Sequence, residues 1–200
     1  MFPVIEYTYQ ELKGLLKNAK EISQKDNLNA NAKLFILEND IVFKMYIPES
    51  DDYLRNIKNI LILKKCYALK SIEEIVLPVE LIKLEDKIIG YFMPYIKGKT
   101  MASFLYDPVI TNKHKVEAFS KLASVINNLP RDIFIGDLHI ENVLICSNYD
   151  IRLVDIDGFS IEYGEKLTVP TPLPNIIGKY YDYYGNPVIW TIVKPVDTIS

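Results

Sequence analysis

The segment spanning residues 132–159 constrains the fold of this chain more strongly than any other part of its sequence. Two short apolar runs, residues 143–146 and 151–154, are separated by the polar, turn-like residues 147–150. Apolar runs of this length on either side of a short turn predict a β-hairpin. Polar residues stand just outside both ends of this hairpin, so its geometry decides which of them can meet.

Carboxylates and an amide flank the predicted hairpin: Asp137 and Asn142 precede it, and Asp155 and Asp157 follow it. Because a hairpin brings its two ends together, we expect Asp137, Asn142 and Asp155 to converge. Oxygen ligands without thiols or a histidine cluster suit Mg²⁺, which usually completes its shell with waters and phosphates. A remaining carboxylate could accept a proton from an attacking hydroxyl. A Mg²⁺ site beside such a general base is the combination that phosphoryl transfer uses. The alternative is a loop of solvated acids beside an ordinary hairpin.

This stretch resembles the catalytic core of the protein-kinase-like superfamily, which includes aminoglycoside and choline phosphotransferases. The family motif is an aspartate followed five positions later by an asparagine, then a hairpin and a metal-binding aspartate. Asp137 and Asn142 match the pair, and Asp155, thirteen positions after Asn142, matches the metal aspartate. The tetrapeptide Gly-Asp-Leu-His is closer to the HGDLHxxN variant of the motif, found in small-molecule phosphotransferases and many bacterial kinases, than to the HRDLKxxN variant. Two positions depart from the family: Ile135 replaces the usual histidine, and Asp157 replaces the glycine of the DFG tripeptide.

The resemblance implies a role for each matching residue. Asp137 would orient or deprotonate the substrate hydroxyl. Asn142 and Asp155 would hold Mg²⁺, with Asp157 adding a further ligand. His139, two positions after Asp137, would either bind the γ-phosphate or orient the loop.

A second hairpin is predicted by apolar runs at residues 34–37 and 41–46, with Lys44 inside the second run. A lysine in an apolar strand either faces solvent or has an anionic partner, because burying an unpaired charge is costly. The pentapeptide Val-Phe-Lys-Met-Tyr resembles the VAIK strand of kinases, which implies that Lys44 binds the α- and β-phosphates of ATP. No glycine-rich loop precedes it. Residues 27–31 supply three asparagines instead, and asparagine tolerates left-handed backbone better than most residues.

The segment from Ser50 is predicted to form a helix that runs to about Leu69, with the serine as its cap and acids in its first turn. By position it resembles the kinase αC helix, which supplies a glutamate to the strand lysine. The middle of this helix offers Ile57, Lys58 and Asn59 and no acid, so no residue is assigned to that role.

Two further strands are predicted at residues 75–82 and 88–93, after which the chain leaves the sheet as a loop. This exit resembles the kinase hinge, with Met93 at the gatekeeper position. The resemblance implies that the backbone groups of Pro94 and Ile96 hydrogen-bond the adenine of ATP. The alternative is an ordinary strand exit.

Apolar periodicity predicts helices at residues 7–22, 100–106 and 112–129. Together with the strands, these give an α+β protein with a two-lobed, protein-kinase-like fold. We expect an N-lobe at residues 1–96. Residues 97–200 would form a reduced C-lobe that carries the catalytic loop, the metal-binding hairpin and a Pro- and Tyr-rich tail.

Composition narrows the function classes. The formal net charge of −3 gives no electrostatic argument for a nucleic-acid partner. Cys66 and Cys146 form no metal or disulfide framework, which favours free thiols in a reducing compartment. No apolar run reaches the length of a membrane span, and the N-terminus lacks the pattern of a secretory signal. We therefore expect a cytoplasmic protein, or one in a host cytosol if it is a delivered effector.

Three functions remain open. The first is an ATP- and Mg²⁺-dependent phosphotransferase acting on a protein Ser/Thr hydroxyl, so that a protein substrate is its expected partner. The second is a small-molecule phosphotransferase, favoured by the Gly-Asp-Leu-His wording. The third is a pseudokinase that serves as a binding module, favoured by the missing glycine loop and αC glutamate. The sequence leaves the substrate and the oligomeric state open.

Overall fold

The computed structural model describes residues 2–22, 31–50, 52–130, 133–135, 138–161, 176–181 and 187–192. The chain divides into two compact units. The first unit contains residues 1–71 and 76–96, and the second contains residues 72–75 and 97–200. The described residues form a mixed six-stranded sheet, smaller sheets and four α-helices, which is consistent with the predicted α+β class.

The first unit is built on the six-stranded sheet, whose spatial order is β1-β5-β6-β4-β3-β2. Strand β1 runs parallel to β5, and the other neighbours pair antiparallel. The strands are β1 Val4–Tyr7, β2 Lys20–Glu21, β3 Ala32–Ile36, β4 Ile41–Tyr46, β5 Glu80–Leu84 and β6 Lys87–Pro94.

Turn chemistry explains the predicted hairpin of β3 and β4. Its connection includes Asn39 and Asp40, both with left-handed backbone at φ 62° and 55°. Consecutive residues with positive φ are typical of tight hairpin turns, and Asn and Asp tolerate that backbone best after glycine. The strands pair in a register that sets Leu34 opposite Lys44.

The first helix, α1 Tyr9–Leu16, packs on one face of this sheet. A capping box of Thr8 and Glu11 fixes its start, and its buried Leu12 joins the core formed by Phe43, Ile82 and Phe92. The helix is shorter than the predicted span of residues 7–22. Tyr7 belongs to β1 and residues 20–21 form β2, so pairing at the sheet edges overrides the helical periodicity there.

The second helix, α2 Tyr53–Leu63, differs from the prediction at both ends. Its N-cap is Asp52, not Ser50; the Asp52 carboxylate accepts from Asn31 Nδ2 at 2.6 Å and pairs with Arg55 at 2.8 Å. The helix ends before Leu69 because the N–H groups of residues 65 and 66 bond carbonyls only three residues back, which tightens the last turn. A short 3₁₀ helix, Tyr67–Ser71, follows.

The predicted strand at residues 75–82 begins only at Glu80. Pro78 lies in the missing part, and a proline cannot donate to a ladder of hydrogen bonds. Ile75 instead forms an isolated parallel bridge with Leu153, within the second unit.

The second unit contains two helices and three small sheets. Helices α3 Met101–Tyr106 and α4 Asn112–Asn127 match the predicted pair and begin after the threonine caps Thr100 and Thr111. The sheets are β10-β9-β7, β11-β8 and β12-β13. Their strands are β7 Lys99–Thr100, β8 Ile133–Ile135, β9 Val143–Ile145, β10 Ile151–Leu153, β11 Phe159–Ile161, β12 Ile176–Tyr181 and β13 Pro187–Ile192.

Aromatic packing holds the helices of the second unit against the β9–β10 turn. The Tyr149 ring stacks on His114 with centroids 4.6 Å apart and meets the Phe104 ring edge-on at 5.8 Å. Lys121 Nζ donates to the Asn148 carbonyl at 2.9 Å. The hairpin is therefore held at its turn, and its open end carries the candidate site.

Among the described residues, no helix combines the length and the apolar character that crossing a membrane requires.

Candidate functional site

The β9–β10 hairpin brings Asn142 and Asp155 together. Val143 pairs with Leu153, and the Val154 N–H donates to the Asn142 carbonyl at 3.0 Å. Asn142 and Asp155 therefore lie just beyond Val143 and Leu153, the last pair at the open end of the hairpin. Their backbones are close together. Both side chains are half-buried.

Asp155 has an unusual backbone. Six described non-glycine residues have positive φ, and five of them lie in the turns of hairpins. Asp155, at φ 64°, is the exception: it follows a strand and precedes the 3₁₀ helix Ile156–Gly158. Aspartate tolerates left-handed backbone better than most residues, but this conformation is uncommon outside turns and concentrates at functional sites. The conformation thus supports a functional interpretation of this aspartate.

Asp137, the predicted catalytic carboxylate, lies outside the described residues. Its described neighbour in the chain, Ile135, ends β8 and pairs with Phe159 at the start of β11. The backbone two residues before Asp137 is thus paired with the backbone four residues after Asp155. The register places β8 beside β11.

The loop ahead of β9 is held by its own hydrogen bonds. His139 Nδ1 accepts from the Glu141 N–H at 3.3 Å, and its carbonyl accepts from the Asn142 N–H at 2.8 Å. The Ile140 carbonyl accepts from the Ala102 N–H at 3.3 Å, which ties the loop to the start of α3. The contact of Nδ1 is compatible with the loop-orienting role predicted for His139, and that role stays a prediction. Its imidazole is exposed, so a phosphate contact stays a prediction.

Asp157 is the most buried acid among the described motif residues, with 1% of its surface exposed. It lies in the single turn that the Gly158 N–H closes on the Asp155 carbonyl at 3.3 Å. A buried carboxylate is costly unless it is hydrogen-bonded or bound to a metal. Its predicted role as a further ligand stays a prediction.

The donor set suits a hard cation. Asn142 and Asp155 offer an amide oxygen and a carboxylate at adjacent positions, with Asp157 two residues further along the chain. One or two carboxylates, completed by water and phosphate, are how proteins usually bind Mg²⁺. Within the described ranges, no three His, Cys, Asp or Glu side chains are grouped as a metal site. Asn142, Asp155 and Asp157 are the residues that would hold such a cation, and the Mg²⁺ site stays a prediction.

In the first unit, Lys44 points into the protein rather than into solvent. Its side chain is 7% exposed on β4, and its Nζ lies 5.8 Å from the ring centroid of Tyr46 and 5.9 Å from that of Tyr91. Both distances are within the range of cation–π attraction. Of the two environments predicted for this lysine, solvent is excluded.

Gly90 is required by the close approach of β6 to β4 beside Lys44. It pairs with Met45 and has a φ of 155°, and a Cβ there would overlap the Lys44 carbonyl. A side chain at this position would push apart the two strands that hold the lysine and Tyr91. The sequence alone identified no role for this glycine.

The predicted hinge lies where β6 ends. The Tyr95 N–H donates to the Asp40 carbonyl at 2.7 Å, so Ile41 and Pro94 form a pair without hydrogen bonds between them. The carbonyl of Pro94 therefore points away from β4, to the same side as the Phe92 carbonyl. Met93 is buried and Ile96 is half-buried. An outward-facing Pro94 carbonyl is compatible with the predicted adenine contact, which stays a prediction.

Sequence patterns did not single out the tyrosines around Lys44. Tyr46 lies two residues along β4, so strand periodicity alone could have placed it on the face of the lysine. Tyr91 pairs directly with Lys44, a register that no local pattern predicts. The Tyr53 ring meets that of Tyr46 at 6.3 Å, and burial raises the pKa of Tyr53 above its usual value.

Comparison with known proteins adds no family assignment. No protein-family model matches the chain, and no curated protein is significantly similar to it in sequence. The kinase-like interpretation accordingly depends on the motif residues and on the geometry around them.

Proposed function

We propose that this protein is an ATP- and Mg²⁺-dependent phosphotransferase, a kinase-like protein that phosphorylates Ser or Thr hydroxyls of a protein substrate. The observation that carries the proposal is the backbone bond from Val154 to Asn142, which sets Asn142 beside Asp155 at the open end of the hairpin. An ordinary hairpin would contain this ladder bond too, so the feature that a solvated acidic loop would not require is the left-handed backbone of Asp155.

Lys44 supports the proposal independently. It is a buried lysine on β4, a strand that the motif order places ahead of the Asp137–Asn142 loop. Lysine is a common ligand of nucleotide phosphates. The outward carbonyl of Pro94 and the buried Met93 are compatible with the adenine contacts that the family resemblance implies.

The residues divide the chemistry among them. Asp137 accepts the proton of the substrate hydroxyl as its oxygen bonds to the γ-phosphorus, and the bond from that phosphorus to the bridging oxygen breaks to release ADP. Lys44 orients the α- and β-phosphates. Asn142 and Asp155, with Asp157, would hold Mg²⁺, which neutralises charge on the phosphates when bound. His139 keeps the loop in position through its bond to the Glu141 N–H.

The test is transfer of label from γ-labelled ATP in a lysate with Mg²⁺, comparing the wild type with Asp137→Ala. Loss of a positioned general base should lower the rate by roughly 10²–10⁴-fold. Asp150→Ala is the matched control, because Asp150 is an exposed acid at the turn of the same hairpin, 3.5 Å from Lys121. That control should retain wild-type transfer.

The fraction that carries the label distinguishes the candidate functions. Label on protein that needs Asp137 supports the protein kinase. Asp137-dependent label on a small molecule would instead support the antibiotic- or metabolite-kinase alternative, which the Gly-Asp-Leu-His wording favours. Equal labelling by wild type and Asp137→Ala would contradict the proposal and support a pseudokinase.

A further inference from the structure

The outer face of α2 exposes leucine as well as charge. The residues that the helix buries are Asn56, Ile60 and Leu63. On the opposite face, Leu54 is 76% exposed and Leu61 is 36% exposed. A single exposed leucine is ordinary on a protein surface, so the residues around this pair decide whether it has a function.

Lysines lie along the same line of the helix as these leucines. Leu54 and Leu61 are seven residues apart, and Lys58 and Lys65 each follow one of them by four residues. Residues at these spacings share one face of a helix, because seven residues make nearly two turns. Lys65 comes just after the helix end, and its N–H donates to the Ile62 carbonyl at 2.9 Å, so the backbone is still turning there. All four side chains are exposed, and we call them the leucine–lysine stripe.

The charge around the stripe has one sign. Residues 53–72 contain five basic side chains and no acidic one, although the whole chain has a formal net charge of −3. The five are Arg55, Lys58, Lys64, Lys65 and Lys70. Arg55 is partly neutralised by Asp52, its ion-pair partner at 2.8 Å. The segment is therefore a local concentration of positive charge on a chain that is acidic by composition.

The order of residues along the stripe discriminates between possible occupants. A second copy of this chain would bring lysine against lysine, and such like-charge contacts repel. A packed helix of another protein would have to desolvate Lys58 and Lys65, which lie in line with the leucines, and lysine is depleted from the cores of protein interfaces. A lipid surface avoids this cost, since lysine stems can extend along the apolar surface while their ammonium groups stay at hydrated phosphates.

We propose that the leucine–lysine stripe binds the surface of an anionic membrane, with α2 lying along that surface. Leu54 and Leu61 contact the acyl chains, and Lys58 and Lys65 contact the phosphates of the headgroups. Clusters of basic residues on an amphipathic helix are attracted by anionic lipid in this way. The inference goes beyond the proposed phosphotransfer and does not depend on it.

The first experiment is cosedimentation of the full chain with vesicles of phosphatidylcholine that contain about one-third phosphatidylserine. The protein should bind these vesicles more tightly than vesicles of phosphatidylcholine alone, and added salt should weaken the binding because it screens the lysines. The double variant Lys58→Gln, Lys65→Gln should bind about 10- to 30-fold more weakly, since each lysine near an anionic surface contributes about fivefold.

The matched control removes the same charge elsewhere. Lys33→Gln with Lys113→Gln changes two exposed lysines outside α2 and should stay within about twofold of the wild type, because charges far from the contact are screened. An equal loss in both double variants would mean that net charge, and not the stripe, governs binding, and would overturn the proposal.

The second experiment tests whether the leucines enter the lipid. Leu54→Trp in a Trp190→Phe background places the only tryptophan of the chain on the stripe. Its emission should shift to shorter wavelength when the protein binds vesicles with phosphatidylserine. Leu54→Gln should weaken binding while leaving every charge in place, and its high exposure makes misfolding a minor concern. An emission spectrum that is unchanged in vesicle-bound protein would overturn the proposal.

A soluble anionic polymer distinguishes a membrane from an acidic protein. Binding of polyglutamate together with no binding of the phosphatidylserine vesicles would overturn the membrane proposal and support an acidic protein partner. Binding of vesicles that does not depend on phosphatidylserine would also contradict it. These measurements contain neither ATP nor Mg²⁺, so failure of the proposed phosphotransferase function would leave their outcome unaffected.

Discussion

The two faces of the six-stranded sheet bury different chemistry. One, the aromatic face, packs Phe43 against Phe92 and Phe35, with centroids 5.1 and 6.4 Å apart. The other, the tyrosine–lysine face, buries Lys44 with Tyr46 and Tyr91. Apolar rings stabilise a core simply by leaving water, whereas a buried ammonium and buried hydroxyls must recover the cost of desolvation. We propose that the second face serves binding as well as packing.

The largest effect is expected on the aromatic face. Phe43→Ala should lower the free energy of unfolding by about 3–5 kcal/mol, because it leaves a cavity among fully packed side chains. Urea unfolding measures the loss. At temperatures where the variant stays folded, its KM for ATP should match the wild type. Leu54→Ala, at a side chain 76% exposed, is the control and should change stability little.

On the tyrosine–lysine face, Lys44→Met should separate function from stability. Loss of a positioned charge should reduce kcat/KM for ATP by roughly 10²–10³-fold. Stability should fall by less than in Phe43→Ala, since methionine keeps the length and most of the apolar volume of the side chain. Kinetics measures the change in kcat/KM for ATP, and urea unfolding of the same sample measures the change in stability. Lys33→Met, at an exposed lysine on β3, should change neither, and a large loss of stability in Lys44→Met would make the lysine structural.

A change at Gly90 should disturb the tyrosine–lysine face through the backbone. Gly90→Ala puts a Cβ against the Lys44 carbonyl at a backbone φ of 155°, and should cost about 1–3 kcal/mol of stability. Because β4 must shift, the KM for ATP should rise as well. Gly14→Ala is the control: a Cβ at this position in α1 would meet no atom within 4 Å, and alanine favours the helix. A neutral Gly90→Ala would argue against close strand approach.

The smallest effect concerns Tyr7, on the aromatic face. Its burial and its hydrogen bond to Glu80 at 2.7 Å raise the pKa of Tyr7 from 10.0 to about 12. The folded state thus holds this proton more tightly than the unfolded state does. Its contribution to stability is complete below pH 10 and is lost as the pH rises toward about 12.

Tyr7→Phe tests this linkage by removing the titrating group. Between pH 8 and about 11, the wild type should lose more stability in urea than the variant, by no more than about 1 kcal/mol because solvent screens a partly exposed hydroxyl. Tyr9→Phe, at a side chain 69% exposed, should follow the wild type. Parallel pH curves for wild type and Tyr7→Phe would mean that neither the burial of Tyr7 nor its bond to Glu80 raises this pKa in solution.

The sequence predicted those parts of the fold that are formed by residues close together in the chain. Turn residues predicted the hairpins of β3–β4 and β9–β10, and threonine caps accompany the predicted helices α3 and α4. What failed depended on distant pairing: β1 joins β5 across the unit, and β2 forms where a helix was predicted. Edge pairing of this kind has no signature within a short window of sequence.

The candidate site shows the same difference between contacts of neighbouring residues and contacts of distant strands. Asn142 and Asp155 were predicted to meet because one short hairpin joins them, and the backbone brings them together. For Lys44, the sequence left two environments open, solvent or an anionic partner. Tyr91 lies beside it because β4 and β6, which are distant in sequence, pair in a register that sets the two residues opposite each other. The role of Asp137 stays a prediction, since that residue lies outside the described ranges. The sequence predicted the local geometry of the hairpin end, but it did not predict the side chains around the Lys44 ammonium group.

Calorimetric titration of the purified protein with ATP, with and without Mg²⁺, would show whether the hairpin end is a metal–nucleotide site. We predict binding that requires Mg²⁺ and that Asp155→Asn abolishes. Asp150→Asn, at the exposed turn of the same hairpin, should bind as the wild type does. Binding that ignores both Mg²⁺ and Asp155, or no binding of ATP at all, would contradict the proposed function.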